Sequence, residues 1–388
     1  MLDRQALEKL EANVLAPFAE QAARSRGRRY AEANDPLRTA FGRDRDRIVH
    51  SAAYRRLGNK TQVFVALEGE YYRTRLTHTE EATQIALTMA RALGLNLDLT
   101  EAICRAHDLG HAPFGHAGEA ALADRMIADG GFEHNAHALR IVDLLECEYP
   151  AFPGLNLSWE VREGIARHGS HPVTEAGDGF LDRSQPSIEA QVTDLADGIA
   201  YGCHDLDDGL AAGVMQWQMF DDLAPAWWVA IRDRVVAQTA GLAPDLARRF
   251  LKRFLVNLFV TDAVAVTGRQ LDRLSPRSAD EARSLAQPLA ALSPEVQALR
   301  TSLHEFLTAC LYRHYLTETI WVKAKRLVSA LFDTFDRDPG QLPPAVRARI
   351  GADCSCRRAI CDYIAEMTDR AAVREYQRLF EFDIQLLP

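Results

Sequence analysis

The chain has 388 residues, of which 47% are hydrophobic and 26% charged, as in a globular enzyme with one or two domains. Its formal net charge of −9 argues against a general binder of polyanions. The sequence shows no signal peptide and no apolar run of membrane-spanning length, and its seven cysteines form neither a disulfide framework nor a usual zinc pattern. We therefore expect a cytoplasmic protein with reduced thiols and no membrane partner.

Apolar residues recur at helical spacing along most of the chain, while alternating strand patterns are sparse, so we predict an all-α fold. The predicted helices cover residues 1–20, 77–93, 98–108, 132–147, 158–168, 187–210, 224–242, 244–268, 277–287, 294–312, 315–336, 343–349 and 355–380. Thr77 is the expected N-cap of the second helix, because Glu80 would complete a capping box. One small β-hairpin is predicted between Lys60 and Leu76, where the pattern alternates around a Glu-Gly turn.

An arginine-rich block lies in the N-terminal part of the chain, with fewer acidic residues between its members. It comprises Arg24, Arg26, Arg28, Arg29, Arg43, Arg45, Arg47, Arg55 and Arg56. One interpretation is a solvated surface. The other is a surface that binds phosphate or another subunit, since guanidinium groups suit both tasks.

The densest cluster of chemically active side chains is HDLGHAPFGHAGE, residues 107–119. His107 and Asp108 end a predicted helix, and His111 follows one turn later. His116 and Glu119 resume helical spacing after a turn that contains proline and glycine. Imidazole and carboxylate at this density are unfavourable to bury unless a metal or substrate satisfies them. A polar helix end in solvent is the alternative, but the interleaved apolar residues favour burial.

Two further segments could complete a metal site with His107 and Asp108. His78 lies in the first turn of its predicted helix, and Asp197 lies on the helix predicted after residue 187. Imidazole and carboxylate are common ligands of divalent metals. Tyr201 and Asp205 follow Asp197 at helical spacing, so all three share one face. A surface helix also shows such spacing, but the small and apolar residues between them favour burial.

The order of these residues, H…HD…D, is the signature of the HD-domain metal-dependent phosphohydrolases. The chain also resembles the bacterial deoxyguanosine triphosphate triphosphohydrolase-like family in the segments RDRDRIVHSAAYRRLGNKTQVF, YRTRLTHTEE, HDLGHAPFGHAGE, GGFEHNAHALRIV, EAQVTDLADGIAY and ICDYIAEMTDRAAVREYQRLF. The resemblance runs from about Pro36 to Phe380. One departure is Ala371-Ala372, where that family leads us to expect an aromatic residue. The resemblance implies a mostly helical HD-domain fold and hydrolysis of a dNTP to a deoxynucleoside and inorganic triphosphate.

The resemblance also implies roles for individual residues. The metal, which could be Mn, Mg, Fe, Co or Zn, would be held by His78, His107, Asp108 and Asp197. The catalytic residues would be His116, Glu119 and His111. The substrate-binding residues would be Gln62, Val63, Arg75, His134, Tyr201 and Asp205. Among them, Gln62 and Val63 match the wall that leaves no room for a 2′-hydroxyl, Arg75 matches a phosphate-binding arginine, and Tyr201 and Asp205 match residues along the sugar.

The expected domain order is an N-terminal helix and basic segment at 1–35, an HD-domain catalytic core at 36–215, and a C-terminal helical region at 216–388. The family also leads us to expect a homo-oligomer, such as a hexamer. An allosteric nucleotide and single-stranded DNA are further partners to consider, because of the arginine-rich block. Two other functions stay open: an HD-domain nucleotidase acting on monophosphates, and a nucleotide- or DNA-binding regulator.

Overall fold

The computed structural model describes residues 2–62, 73–169, 180, 184–351 and 354–381. Within these ranges the regular structure is helical, and the only β-pairing consists of isolated bridges. The helices are α1 (Arg4–Val14), α2 (Ala40–His50), α3 (Ala52–Arg56), α4 (Arg75–Leu93), α5 (Leu97–Ala106), α6 (His116–Met126), α7 (His134–Arg140), α8 (Trp159–Ala166), α9 (Ile188–Ala211), α10 (Gln218–Leu223), α11 (Ala226–Thr239), α12 (Pro244–Leu274), α13 (Ala279–Arg283), α14 (Pro294–Leu307), α15 (Tyr315–Arg337), α16 (Pro344–Arg347), α17 (Cys356–Ala365) and α18 (Asp369–Phe380). The prediction of an all-α fold is confirmed.

The chain forms two compact units, and each unit is assembled from three separate segments. The first unit comprises Met1–Val49, His78–His107 and Leu155–Tyr315. The second unit comprises His50–Thr77, Asp108–Gly154 and Leu316–Pro388. These units show where contacts concentrate and do not test the predicted domain order, which stays a prediction.

Helix α9 is the central element of the first unit. Its N-cap Ser187 accepts a hydrogen bond from the amide of Ala190, and most of its residues from Ile188 to Gly209 are buried. Helices α5, α12 and α14 pack against it, and α8 packs against α5. Because α9 is covered on several sides, acidic residues such as Asp205 lie inside the unit rather than in solvent.

The N-terminus of α4 differs from the prediction. The helix begins at Arg75, and Thr74 rather than Thr77 is its capping residue. The Thr77 amide donates to Thr74 Oγ1 at 3.3 Å, and the Thr74 amide donates to Thr77 Oγ1 at 3.0 Å. Glu80, the predicted partner of Thr77, accepts a hydrogen bond from Arg105 at 3.2 Å. Threonines three positions apart each fit the N-cap pattern, so spacing alone cannot separate them.

The predicted hairpin lies largely outside the described residues, which leave out 63–72. At its ends, Thr61 and Thr74 form an antiparallel bridge. Arg75 and Leu76, the last two residues of the prediction, belong to α4.

The second unit has its own apolar core. Helices α6 and α16 pack against α17, and the core includes Phe114, Leu122, Val328, Phe332 and Ile360. The single helix predicted over 355–380 is wrong, because the structure has two helices, α17 and α18. Helix α18 begins after Thr368, whose side chain caps it by accepting from the Ala371 amide. This break makes Asp369 the first residue of α18, where it is buried in the second unit.

The arginine-rich block is largely a network of ion pairs. Glu32 is contacted by Arg43 and Arg47, and Arg28 pairs with Asp44. Arg45 and Arg26 pair with Asp98 and Asp280, respectively. Acids from distant parts of the sequence therefore compensate much of the positive charge that the sequence concentrates here. No helix among the described residues is both long and apolar enough to cross a membrane.

Candidate metal centre and acid–base cluster

In the first unit, two imidazoles meet one carboxylate. The Nε2 atom of His78 lies 2.9 Å from Asp197 Oδ1, and the Nε2 atom of His107 lies 3.5 Å from the same oxygen. His78 comes from the first turns of α4, His107 caps the C-terminus of α5, and Asp197 lies on α9. Three helices therefore converge on one point, as metal sites in helical proteins require.

The distance from each imidazole nitrogen to Asp197 Oδ1 suits two ligands of one divalent cation. Metal–ligand distances of about 2.0–2.2 Å and ligand angles near 90–110° place neighbouring ligand atoms about 2.8–3.6 Å apart. The two separations from Asp197 Oδ1, 2.9 and 3.5 Å, fall in this range. In the sequence, Asp108 follows His107 directly, and its role as a further ligand stays a prediction. The donor set of imidazole and carboxylate suits Zn²⁺, Mn²⁺, Fe²⁺ and Co²⁺.

Each imidazole is oriented by a second contact on its other nitrogen. His107 Nδ1 lies against the backbone carbonyl oxygen of Cys104, and this contact turns Nε2 toward Asp197. His78 Nδ1 lies 3.1 Å from Nδ1 of His204, and His204 Nε2 lies 2.7 Å from a carboxylate oxygen of Glu81. The resulting carboxylate–imidazole–imidazole chain fixes the ring of His78 from behind.

Two histidines near this centre were not identified from the sequence. His204 lies seven residues after Asp197, two turns along the same helix face, so its spacing gave a signal that could have been used. His168 follows the end of α8, and its Nε2 atom lies 3.6 Å from Asp197 Oδ2. Its position depends on tertiary packing, so no spacing rule indicates it.

Charges around Asp197 determine which groups are ionised. Burial alone would raise the pKa of Asp197, but hydrogen bonds from His107, His168 and His78 outweigh burial and hold that pKa well below its ordinary value. Burial would lower the pKa of His168, but the carboxylates of Asp194 and Asp197 hold it well above its ordinary value. His168 thus helps to keep Asp197 ionised, and with His107 and Asp197 it forms a group of side chains that could hold a metal ion.

In the second unit, a buried arginine and a histidine flank Asp108. Arg75 Nη1 donates to Asp108 Oδ1 at 2.9 Å, and His111 Nε2 lies 3.1 Å from the same oxygen. Burial and the charge of Arg75 hold the pKa of His111 well below its ordinary value. This pKa favours the neutral form of His111 beside Asp108, and the predicted catalytic role of His111 stays a prediction.

Glu119 holds two further histidines of the second unit. Its Oε2 atom lies 3.2 Å from His116 Nδ1, and its Oε1 atom lies 2.8 Å from His134 Nδ1 and accepts from the His134 amide at 3.1 Å. Burial would raise the pKa of Glu119, but these hydrogen bonds hold it well below its ordinary value. The ring of His134 also stacks on His111, with centroids 4.2 Å apart. Glu119 thus orients two imidazoles rather than His116 alone.

The turn that leads into α6 explains how His116 is presented. Phe114 and Gly115 have φ angles of +62° and +58°, in the left-handed region that glycine adopts readily and phenylalanine rarely. His116 follows as the first residue of α6, with its side chain 65% exposed. Of the predicted catalytic residues, His116 is therefore the one most accessible to a substrate.

The predicted sugar contacts lie on α9 and are joined by a third residue. Asp205 is buried and accepts a hydrogen bond from the hydroxyl of Tyr312, and the rings of Tyr201 and Tyr312 are 6.0 Å apart. Burial and the nearby Asp205 carboxylate raise the pKa of Tyr312 far above its ordinary value, so it stays a donor. Tyr312 lies more than 100 residues from Asp205, and the sequence analysis did not identify it.

The predicted wall against a 2′-hydroxyl is only partly described. Gln62 is half-buried, and its Oε1 atom has no hydrogen-bond partner among the described residues. Val63 lies outside the described residues, so its predicted role stays a prediction.

Comparison with known proteins places this geometry in a family. Residues 75–202 match the HD domain, and residues 290–378 match the phosphohydrolase-associated domain. The chain is 45% identical to the deoxyguanosinetriphosphate triphosphohydrolase-like protein of Geobacter metallireducens over 373 residues, 96% of each chain. It is 46% identical to the protein of the same name from Bordetella pertussis, over 95% of this chain and 97% of the relative.

The chain belongs to the deoxyguanosinetriphosphate triphosphohydrolase-like family of HD-domain phosphohydrolases. A third relative, from Geobacter sulfurreducens, is 43% identical over 98% of this chain and 99% of its own length. The similarity covers both units, so the protein is a phosphohydrolase of the HD class. The HD domain match at 75–202 contains His78, His107, Asp108, His116 and Asp197.

Proposed function

We propose that the protein is a metal-dependent dNTP triphosphohydrolase, which converts a dNTP such as dGTP and water to a deoxynucleoside and inorganic triphosphate. The observation that carries the proposal is a group of buried polar atoms in the second unit without hydrogen-bond partners among the described residues. These atoms are Gln62 Oε1, Arg75 Nε and His111 Nδ1. Buried polar atoms are normally paired, so a polar ligand is the natural partner here.

The full-length relatives named deoxyguanosinetriphosphate triphosphohydrolase-like proteins indicate the class of ligand. A triphosphate offers many acceptor oxygens, which match the guanidinium donors of Arg75. The free Nδ1 of a neutral His111 is an acceptor, which suits a water or hydroxyl group instead. Gln62 and Val63 would contact the sugar of the substrate. Tyr201 and Asp205 would also contact the sugar, with the Asp205 carboxylate accepting a hydrogen bond from the 3′-hydroxyl.

The metal ligands in the proposal are His78, His107, Asp108 and Asp197. A bound divalent cation would supply a Lewis acid that polarises a phosphate oxygen and lowers the pKa of water. The protein contributes the orientation of these ligands through Cys104 and His204 and the negative charge of Asp197, which the surrounding imidazoles keep ionised.

Acid–base chemistry in the proposal belongs to His116, with Glu119 as its orienting partner and His134 as the second imidazole held by the same carboxylate. Water attacks the α-phosphorus, the bond from phosphorus to O5′ breaks, and O5′ leaves with a proton. An imidazole that is partly in solvent and hydrogen-bonded to an ionised carboxylate suits such proton transfer. The contact between Glu119 and His134 is the shorter one, so both histidines are to be tested.

The family relationship is also the basis for proposing a homo-oligomer, with a hexamer as the size to test by sedimentation. An activating nucleotide or single-stranded DNA is a proposed regulator. The ion pairs of the arginine-rich block reduce the case for a polyanion there, because Arg43, Arg45 and Arg47 already contact carboxylates.

The test is to incubate the protein with Mn²⁺ and each dNTP, singly and in pairs, and to identify products by chromatography. Release of deoxynucleoside and intact triphosphate is the expected result. Release of orthophosphate from monophosphates would instead indicate the nucleotidase. Asp197→Asn is the matched control, since it removes only the charge that the imidazoles approach and should lose both metal and turnover. Nucleotide binding without turnover by the metal-loaded protein would overturn the proposal in favour of a regulator.

A further inference from the structure

Asp369, the first residue of α18, is a buried carboxylate bound by a distant part of the chain. One of its oxygens accepts from the amide of Thr61 at 2.8 Å and also from the Thr61 hydroxyl. Its other oxygen accepts from the amide of Phe114 at 2.8 Å. The residue is 2% exposed. A single side chain thus joins two segments that are 308 and 255 residues away.

A lysine makes a second connection between the same regions. Lys60, also 2% exposed, donates from Nζ to the carbonyl oxygen of His111 and, at 2.9 Å, to that of Ala365. The backbone of Lys60 accepts from the Arg75 amide at 3.1 Å. The segment 60–61 is therefore held from both sides, by the C-terminal helices and by the loop that follows Asp108.

Each joined segment leads directly to a residue of the proposed active site. Thr61 precedes Gln62, which belongs to the proposed wall against a 2′-hydroxyl. Phe114 precedes Gly115 and His116, and its φ of +62° is a conformation that a phenylalanine adopts only when its surroundings require it. The hydrogen bond from the Phe114 amide to Asp369 is one such requirement.

We propose that Asp369 is a positioning residue that sets the Gln62 wall and the His116 turn together, so that sugar selectivity and turnover depend on one carboxylate. The proposal rests on the dNTP triphosphohydrolase function given above. Among the described residues, the hydrogen bonds of Asp369 go to Thr61 and Phe114 and not to a metal ligand or a predicted acid–base group, so it acts through two neighbouring segments of the chain. The phosphohydrolase-associated domain at 290–378, which contains Asp369, thereby supplies part of the specificity of the HD domain.

The chemistry of the site requires a carboxylate. Three donors converge on its two oxygens, so both oxygens act as acceptors. Burial raises the pKa of Asp369, and the donated hydrogen bonds oppose that shift because they favour the ionised form. An asparagine has the same shape as the aspartate, but its NH₂ group would face either the Thr61 donors or the Phe114 amide and could not accept their hydrogen bonds. Asp369→Asn should therefore release one segment, and Asp369→Ala should release both.

The test compares these two variants with a matched control on the preceding helix. Asp362, on α17, is also a buried acid, and its carboxylate is bound by Arg140 at 2.8 Å and not by Thr61 or Phe114. For each protein, kcat and KM are measured with dGTP and GTP. We expect Asp369→Ala to lower kcat about 10- to 100-fold, the cost of misplacing reacting groups by about 1 Å. We also expect the preference for dGTP over GTP to fall at least about tenfold, while Asp362→Asn keeps the wild-type preference.

Hydrogen–deuterium exchange provides a readout that does not depend on activity. Peptides containing Thr61 and Phe114 should exchange faster in both Asp369 variants than in wild type and in Asp362→Asn. Unchanged exchange, or equal loss of selectivity in Asp362→Asn, would overturn the proposal. If Asp369→Ala does not fold, Thr61→Val removes one hydroxyl donor and must still lower the preference for dGTP. If the wild-type protein cleaves no dNTP, the proposed dNTP triphosphohydrolase function is wrong. Hydrogen–deuterium exchange then tests by itself whether Asp369 holds the two segments.

Discussion

Substituting His204 by alanine should weaken metal binding while the protein stays folded. His204 is not a ligand candidate itself, but its Nδ1 lies 3.1 Å from Nδ1 of His78. When His78 binds a metal through Nε2, its Nδ1 carries a proton that needs an acceptor. Nδ1 of His204 provides that acceptor. The N–H group at Nε2 of His204 then donates a hydrogen bond to the Glu81 carboxylate, which lies 2.7 Å away.

The expected size of the effect follows from burial. The side chains of His78 and His204 are 2% and 3% exposed, so water does not readily replace the lost acceptor. Leaving a buried donor without its partner costs about 1–3 kcal/mol. This range corresponds to a loss of metal affinity of about 5- to 150-fold, and outer-sphere partners of metal-bound histidines elsewhere account for about 10- to 100-fold.

The assay is a titration with Mn²⁺ in competition with a chelator, supported by circular dichroism to show that the helices persist. Glu81→Gln should cost less, because the Glu81 side chain is 41% exposed and His204 remains as the acceptor. His50→Ala removes an exposed imidazole from α2 and is the matched control, with no change expected. A folded His204→Ala protein with wild-type metal affinity would refute the proposed role of His204 as the acceptor for His78.

Three further predictions concern the acid–base cluster and the arginine-rich block. His116→Ala should retain metal but lose about 10²- to 10⁴-fold in turnover, measured as triphosphate release. Glu119→Gln should destabilise the protein to urea at pH 7 more than at pH 3. The folded pKa of this carboxyl is depressed, so its stabilisation is present above the unfolded pKa of about 4.3 and is lost as the pH falls toward the folded value. Arg47→Ala, which breaks a buried pair, should cost about 3–5 kcal/mol in urea denaturation, whereas Arg38→Ala, with the Arg38 side chain 45% exposed, should cost about 1 kcal/mol or less.

The helical architecture could be predicted because apolar periodicity is a local property. Helix α9 was expected over 187–210 and extends over Ile188–Ala211. The prediction was wrong at 355–380, where Thr368 caps a new helix that no proline or glycine marks. The N-cap of α4 was also misplaced, because Thr74 and Thr77 both satisfy the same spacing. The residue at which a helix begins depends on which side chain accepts the capping hydrogen bond in the folded protein, and the sequence pattern alone does not decide between neighbouring candidates.

The candidate site shows a similar division between what is local and what is not. The sequence pointed to His78, His107 and Asp197, and in the structure the Nε2 atom of each histidine approaches Asp197 Oδ1. Their roles as ligands stay predictions. Tyr312 and His168 could not be found from the sequence, because each reaches its partner through tertiary packing. Acids far along the chain, such as Asp98 and Asp280, pair with members of the arginine-rich block, and the sequence alone could not predict these pairs.

The hydrogen bonds of Asp369 have a consequence for biosynthesis. Thr61 leaves the peptidyl-transferase centre 308 residues before its partner is made, and translation at about 5–20 residues per second makes that interval about 15–60 s. In the later part of this interval, once residue 202 has been made, the nascent chain has the whole HD domain, 75–202, but not the carboxylate that holds the Phe114 turn. A premature stop codon between positions 203 and 369 therefore yields a product with every proposed metal ligand in its sequence and without Asp369. Such truncation products should be poor hydrolases that still bind metal.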